Sequence, residues 1–152
     1  MNKVKIEPFK VIGISVRTTN ENNQAAADIP NLWGKFLEEG VLEKIPYKVD
    51  NTVYCLYTDY EKDHTLPYTT ILGCKVTSLE NIPTGMVGKD IEGIAYEKFT
   101  VRGNLQHNIV FNEWIKIWNA DLPRLFSTDF EIYGVKAQNP SDAEVDILIA
   151  VK

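Results

Sequence analysis

Glu131 stands between Phe130 and Ile132 in STDFEIYGVK, residues 127–136, a stretch otherwise rich in strand-forming residues. Side chains alternate along a strand, so Glu131, Tyr133 and Val135 share one face while Phe130, Ile132 and Gly134 take the other. Two chemistries are open to that carboxylate. On a wet outer face it is an ordinary solvated charge, the usual state of a glutamate. Walled by aromatic rings it loses hydration, its ionised form is disfavoured, and an organic cation supplies the missing charge. Its companions Tyr133 and Val135 make an apolar setting for a wet surface. On this reading Phe130 and Ile132 pack beneath the helices, and Glu131 faces the uncovered side of the sheet.

The rings available to wall such a site are Tyr54, Tyr57, Tyr68, Tyr96, Phe99, Trp114 and Tyr133, each of which could equally be a core ring. Aromatic faces add cation–π attraction of about 0.5–2 kcal/mol and contact that demands no single ligand shape. Trp33 and Trp118 sit on amphipathic helical stretches and read as core first. Glu97, between Tyr96 and Lys98, reads as an exposed strand glutamate, and EKDH (61–64) as a solvated hairpin tip.

Other chemistry has less support. His64 and His107 stand 43 residues apart with no second ligand at metal spacing, and Cys55 and Cys74 lack the spacing of a redox pair. Reduced core thiols, no metal and no cofactor are the expectation. No Gly-rich phosphate loop, nucleophile elbow or zinc-protease helix occurs, so catalysis has no motif of its own. The net charge of −5, without a run of Lys or Arg, argues against direct nucleic-acid binding. The start MNKVKIEPFK lacks the apolar core of a secretory signal, and no stretch approaches the roughly 20 apolar residues of a membrane span. A cytoplasmic protein without membrane contact is expected.

The elements that must position these residues form two similar halves. KVIGISVRTT reads as a strand, NENNQAAAD as a polar loop, and a helix follows with Asp28 as its cap and Pro30 in its first turn. Leu32, Trp33, Phe36 and Leu37 give that helix an apolar stripe, and EEG ends it. TVYCLYTDY and YTTILGCKVTS are β-rich, with EKDHTLP as the loop between them. The order then repeats: GIAYEKFTVRG is a strand, VFNEWIKIWNADLPRLF a helix with Phe111, Trp114, Ile115 and Trp118 along one face, and DFEIYGVK with AEVDILIAVK a closing pair. NLWGKFLE (31–38) lies over NEWIKIWN (112–119) without a gap, pairing Trp33 with Trp114. Residues 9–78 and 90–152 are therefore expected to be two β-α-β-β pseudo-repeats of one domain spanning 1–152. The fold class is α+β: one mostly antiparallel sheet, both helices on one face, and a ligand groove between the halves.

The ordered set YTTILGCKVTS, IPTGM, YEKF, NEWIKIW and FEIY resembles the GyrI-like effector-binding superfamily over nearly the whole chain, from about Glu7 to Lys152. Within it the likeness runs to the integron-associated effector-binding proteins, stand-alone relatives of the ligand domains of some bacterial transcription activators. The resemblance implies a duplicated β-α-β-β fold and an aromatic pocket for lipophilic cations. Its pocket carboxylate is a Glu followed two residues later by Tyr, which falls on Glu131 and Tyr133. A binding protein that senses or sequesters amphipathic cations is thus expected, any regulatory role needing a protein partner. Two alternatives follow from the same superfamily: a small-molecule hydrolase with Glu131 as base and a Tyr assisting, and a module that inhibits another protein.

Overall fold

The computed structural model describes residues 2–152. In chain order its elements are β1 (Lys3–Lys5), β2 (Phe9–Thr18), α1 (Gln24–Glu38), α2 (Val41–Lys44), β3 (Lys48–Thr58), β4 (Tyr68–Val76), β5 (Val87–Ile91), β6 (Ala95–Gly103), α3 (Ile109–Asn119), β7 (Thr128–Tyr133) and β8 (Ala143–Ala150). The eight strands form one antiparallel sheet in the order β1-β6-β8-β7-β3-β4-β2-β5. Its centre is the β3–β7 pair, where Val53 opposes Tyr133, Cys55 opposes Glu131 and Thr58 opposes Thr128. Read outwards from that pair, one half runs β3-β4-β2 and the other β7-β8-β6, so the two β-α-β-β units are arranged alike on either side of the centre. The short strands β1 and β5 were not expected from the sequence. Each precedes one unit in the chain and pairs with the outer strand of the other, β1 with β6 and β5 with β2.

The two long helices, α1 and α3, lie on one face. Leu32 and Phe36 of α1 pack on Ile12, Ile14, Cys55, Leu72 and Cys74. Trp114 and Ile117 of α3 pack on Ile147, Ile149 and Val151. The opposite face holds its own core of Phe9, Val11, Leu56, Ile71, Tyr96, Phe130 and Leu148. That face stays dry because the sheet curls: Phe9 on β2 meets Phe130 on β7 edge-on, with centroids 5.4 Å apart, although β4 and β3 intervene in the sheet. Gly13 and Gly73 oppose each other on β2 and β4, and a Cβ on either would run into its partner strand's backbone. Cys55 and Cys74 are buried free thiols.

Three local expectations are corrected. The first helix begins at Gln24, because QAAA supplies good helix formers. Pro30 therefore lies inside the helix, and Asp28, rather than capping it, accepts from Thr18 Oγ1 at 2.8 Å and Gln24 Nε2 at 3.0 Å. Helix α3 ends at Asn119: Ala120 is extended, and Pro123 follows. Its Phe111 and Ile115 are exposed while Trp114 and Ile117 are buried. Finally, Phe130 packs on the face away from the helices, and Glu131 points towards them.

Candidate functional site

Because α1 packs towards β2 and β4 and α3 towards β6 and β8, the two helices leave the sheet centre open between them. A cavity of about 1240 Å³ fills that gap. The α1 side contributes Ala26, Ile29, Pro30, Trp33 and Leu37, and the α3 side Val110, Phe111, Trp114 and Trp118, each set at the i, i+3, i+4 spacing of one helix face. Tyr57, Glu131 and Tyr133 rise from the central strands to form the floor, with Tyr60, His64 and Tyr68 at the β3–β4 connection. The groove is therefore on the helix side of the sheet rather than the uncovered side.

Glu131 is 2% exposed. Its Oε2 accepts from Trp114 Nε1 at 2.6 Å and from the Tyr57 hydroxyl at 2.9 Å, and its Oε1 accepts from the Tyr133 hydroxyl at 2.6 Å. All three donors are neutral. Among the described residues no Lys or Arg lines the cavity or pairs with Glu131; apart from its tyrosines, the other titratable lining groups are Asp50 and His64. Burial lifts the Glu131 carboxyl above the usual range, while the bonds from Tyr133, Trp114 and Tyr57 pull it back. Burial, and after it the nearby acidic groups, push the Tyr57 and Tyr133 hydroxyls well up, so both stay protonated as donors. The rings are locked in turn: Tyr133 meets Trp33 edge-on at 4.9 Å, and Tyr57 meets Trp114 edge-on at 5.2 Å. A preorganised carboxylate in an aromatic cavity, without a protein counter-charge, can take up a cation.

The structure brings together Glu131, Tyr133, Trp114, Tyr57 and Tyr68 of the residues singled out in the sequence. It places three elsewhere. Tyr54 and Tyr96 pack around Phe130 on the opposite face, and Phe99 packs beneath α3 without lining the cavity. Val135 leaves the strand for a 3-10 turn and reaches the rim, 79% exposed. Glu97 is buried rather than exposed, away from the cavity, because Lys3 of β1 covers the edge it sits on. Trp33 and Trp118, read as core, are lining residues, as are Tyr60 and His64. The signal for Trp33 was available: the register that pairs it with Trp114 assigns both the same place. His64 turns inwards from its loop and stacks on Trp118, with centroids 5.4 Å apart and planes within 6°.

The chain as a whole is similar to known proteins. The family model for integron-associated effector binding proteins matches residues 4–151. YobU of Bacillus subtilis strain 168, named provisionally as a transcriptional regulator protein, is 30% identical over 144 residues, covering 92% of this chain and 90% of YobU. The crystal structure of the integron cassette protein VCH_CASS2, from the mobile metagenome of Vibrio cholerae, is 33% identical, with a TM-score of 0.78 over 99% of this chain and 95% of that one. The structure of SAV2435 bound to tetraphenylphosphonium shares the fold, with a TM-score of 0.75 at 16% identity over 99% of this chain and 93% of that one.

Proposed function

This chain belongs to the integron-associated effector-binding protein family, and from that premise we propose that its cavity binds lipophilic, aromatic organic cations, so that the protein senses or sequesters them. The observation that carries the reading is Glu131: a buried carboxylate on the cavity floor, held by three neutral donors, in a lining that contains no Lys or Arg among the described residues. Its ionised form costs desolvation energy in the empty cavity, and an entering cation returns that cost as Coulombic attraction. The rings of Trp33, Tyr57, Trp114 and Tyr133 supply the apolar and cation–π contact. The capture of tetraphenylphosphonium by SAV2435, a protein of the same fold, supports this ligand class.

Binding without turnover is the corresponding expectation. A cavity of about 1240 Å³ accepts a ligand in many orientations, whereas hydrolysis would require a substrate fixed within hydrogen-bond reach of water on Glu131. The test uses tetraphenylphosphonium and neutral triphenylphosphine oxide as ligands, with fluorescence from Trp33, Trp114 and Trp118, all of which line the cavity. Glu131→Gln keeps the shape and removes the charge. It should weaken the cation by about 1–3 kcal/mol and leave the neutral ligand nearly unchanged. Equal changes for both ligands would show that Glu131 is not the charge partner. Multiple-turnover hydrolysis of an ester or epoxide that disappears in Glu131→Gln would replace the binder with an enzyme.

A further inference from the structure

His64 lines the cavity without touching the Glu131 cluster. Its position is fixed by its backbone: the His64 carbonyl accepts from Asn20 Nδ2 at 2.8 Å, and Asn20 Oδ1 accepts from the Tyr68 hydroxyl at 2.8 Å. Its ring stacks on Trp118 and also lies against Phe126, at 6.4 Å and 28°. Trp118 in turn meets Trp114 at 6.4 Å, and Trp114 donates to Glu131. One continuous aromatic wall therefore runs from the carboxylate to the imidazole.

The two imidazole nitrogens are not equivalent. Nδ1 is enclosed and has no hydrogen-bond partner, whereas Nε2 is neither enclosed nor bonded to protein. The Arg124 guanidinium sits 4.2 Å from the Phe126 ring against which His64 also packs. Burial and the Arg124 charge hold the imidazole below its usual pKa, with Asp63 opposing them. A hydrogen on Nδ1 would be a buried donor without an acceptor, whereas an unused lone pair there costs less. The neutral ring thus carries its hydrogen on Nε2.

We propose that His64 is a specificity residue of this cavity: its Nε2–H donates to the ligand, so that among cations held at Glu131 those with a carbonyl or ether oxygen set apart from the charge are preferred. This deepens the cation-binding reading and rests on it. The aromatic wall would carry the body of such a ligand, with Glu131 taking the charged end and His64 the oxygen.

The experiment compares tetraphenylphosphonium with triphenyl(4-acetylphenyl)phosphonium, the same cation bearing one carbonyl. In His64→Phe, which keeps a ring against Trp118, the acetyl compound should lose about tenfold in affinity while the parent changes less than twofold. His64→Gln, which restores an N–H, should recover part of the loss. Equal loss for both cations would reduce His64 to a packing residue and overturn the proposal, as would no loss for either. The ¹⁵N shifts of the imidazole in the ligand-free protein give an independent reading: they should report the Nε2–H tautomer, and an Nδ1–H tautomer would refute it. If neither cation binds the unmodified protein, the cation-binding reading itself falls and this one with it. If both bind equally well with or without His64, only the present proposal fails.

Discussion

Asp129 and Glu131 stand two residues apart on β7, both buried and both hydrogen-bonded, yet the protein completes only one of them. Asp129 Oδ2 accepts from Arg124 Nη2 at 2.8 Å and from the Tyr60 hydroxyl at 2.6 Å, and its Oδ1 accepts from the Ala150 amide at 2.8 Å. A full positive charge, itself 5% exposed at the side chain, balances it. Glu131 receives the same number of hydrogen bonds but no charge. Burial lifts both carboxyls, and for Asp129 the strongest opposing influence is the Arg124 guanidinium. The difference teaches what each group is for. A carboxylate neutralised inside the protein ties the chain together, here fastening the segment after α3 to β7 and β8. One balanced only by neutral donors at the floor of a cavity is, on the proposed reading, left for a ligand from outside the chain.

The largest expected effect tests the closed pair. Asp129→Asn leaves the Arg124 charge buried without its partner, and Arg124 Nε and Nη1 already lack acceptors. Unfolding by urea should show a loss of about 3–5 kcal/mol, against little change in cation affinity for the molecules that remain folded. A loss under about 1 kcal/mol would erase the distinction between the two sites.

Glu131→Gln should move stability the other way. The amide oxygen can take the Oε2 bonds from Trp114 and Tyr57, and the amide nitrogen can donate to the Tyr133 oxygen, whose own O–H gives up its carboxylate acceptor and turns to solvent in the cavity it lines. Removing an uncompensated buried charge should leave the empty protein equal in stability or up to about 1 kcal/mol more stable at neutral pH. The pH dependence has a definite sign. A carboxyl whose folded pKa is raised binds its proton more tightly when folded, so the wild-type protein loses stability relative to Glu131→Gln as pH rises from the ordinary Glu value of 4.5 to the raised folded value. Urea titrations of both proteins from pH 4 to 8 measure it. Parallel curves would mean that Glu131 is not held in a desolvated state. Cation binding should also strengthen over the same interval, since it requires the ionised form.

How much of this was legible in sequence depends on which physical signal each residue carries. The alternating and helical periodicities of the long elements were readable because each has a buried face. The strands β1 and β5 were not, being three and five residues long with few apolar positions. Glu131 was legible as an anomaly between Phe130 and Ile132, but alternation separates two faces without saying which one carries the helices. The curled sheet buries both faces of β7, so the apolar test for the inner side has no contrast to work with. Alternation did contain one unused constraint. Tyr54 and Tyr57 are three residues apart on a strand, as are Tyr96 and Phe99, so neither pair can share a face. Once Cys55 opposes Glu131, Tyr57 must accompany it and Tyr54 must not. His64 was invisible because a loop has no periodicity, and its inward turn is set by Asn20, a residue 44 positions away.

The smallest effects sharpen the contrast most, because they alter one neutral hydroxyl at each carboxylate. Tyr60→Phe removes a donor from Asp129, and Tyr133→Phe removes one from Glu131. Each should lower the stability of the empty protein by about 1 kcal/mol, since each strands one accepting position on a buried carboxylate. Saturating tetraphenylphosphonium should then separate them. At Glu131 a bound cation can take over the position that Tyr133 vacated, so the stability deficit of Tyr133→Phe relative to wild type should shrink in the presence of ligand. Asp129 is fully enclosed and does not line the cavity, so no ligand in the cavity reaches it, and the Tyr60→Phe deficit should persist unchanged. Urea unfolding of the two variants and the wild-type protein, with and without ligand, provides the comparison through linkage. If ligand repaired both deficits equally, the stabilisation would come from apolar contact alone, and Glu131 would be no more open to a cation than Asp129.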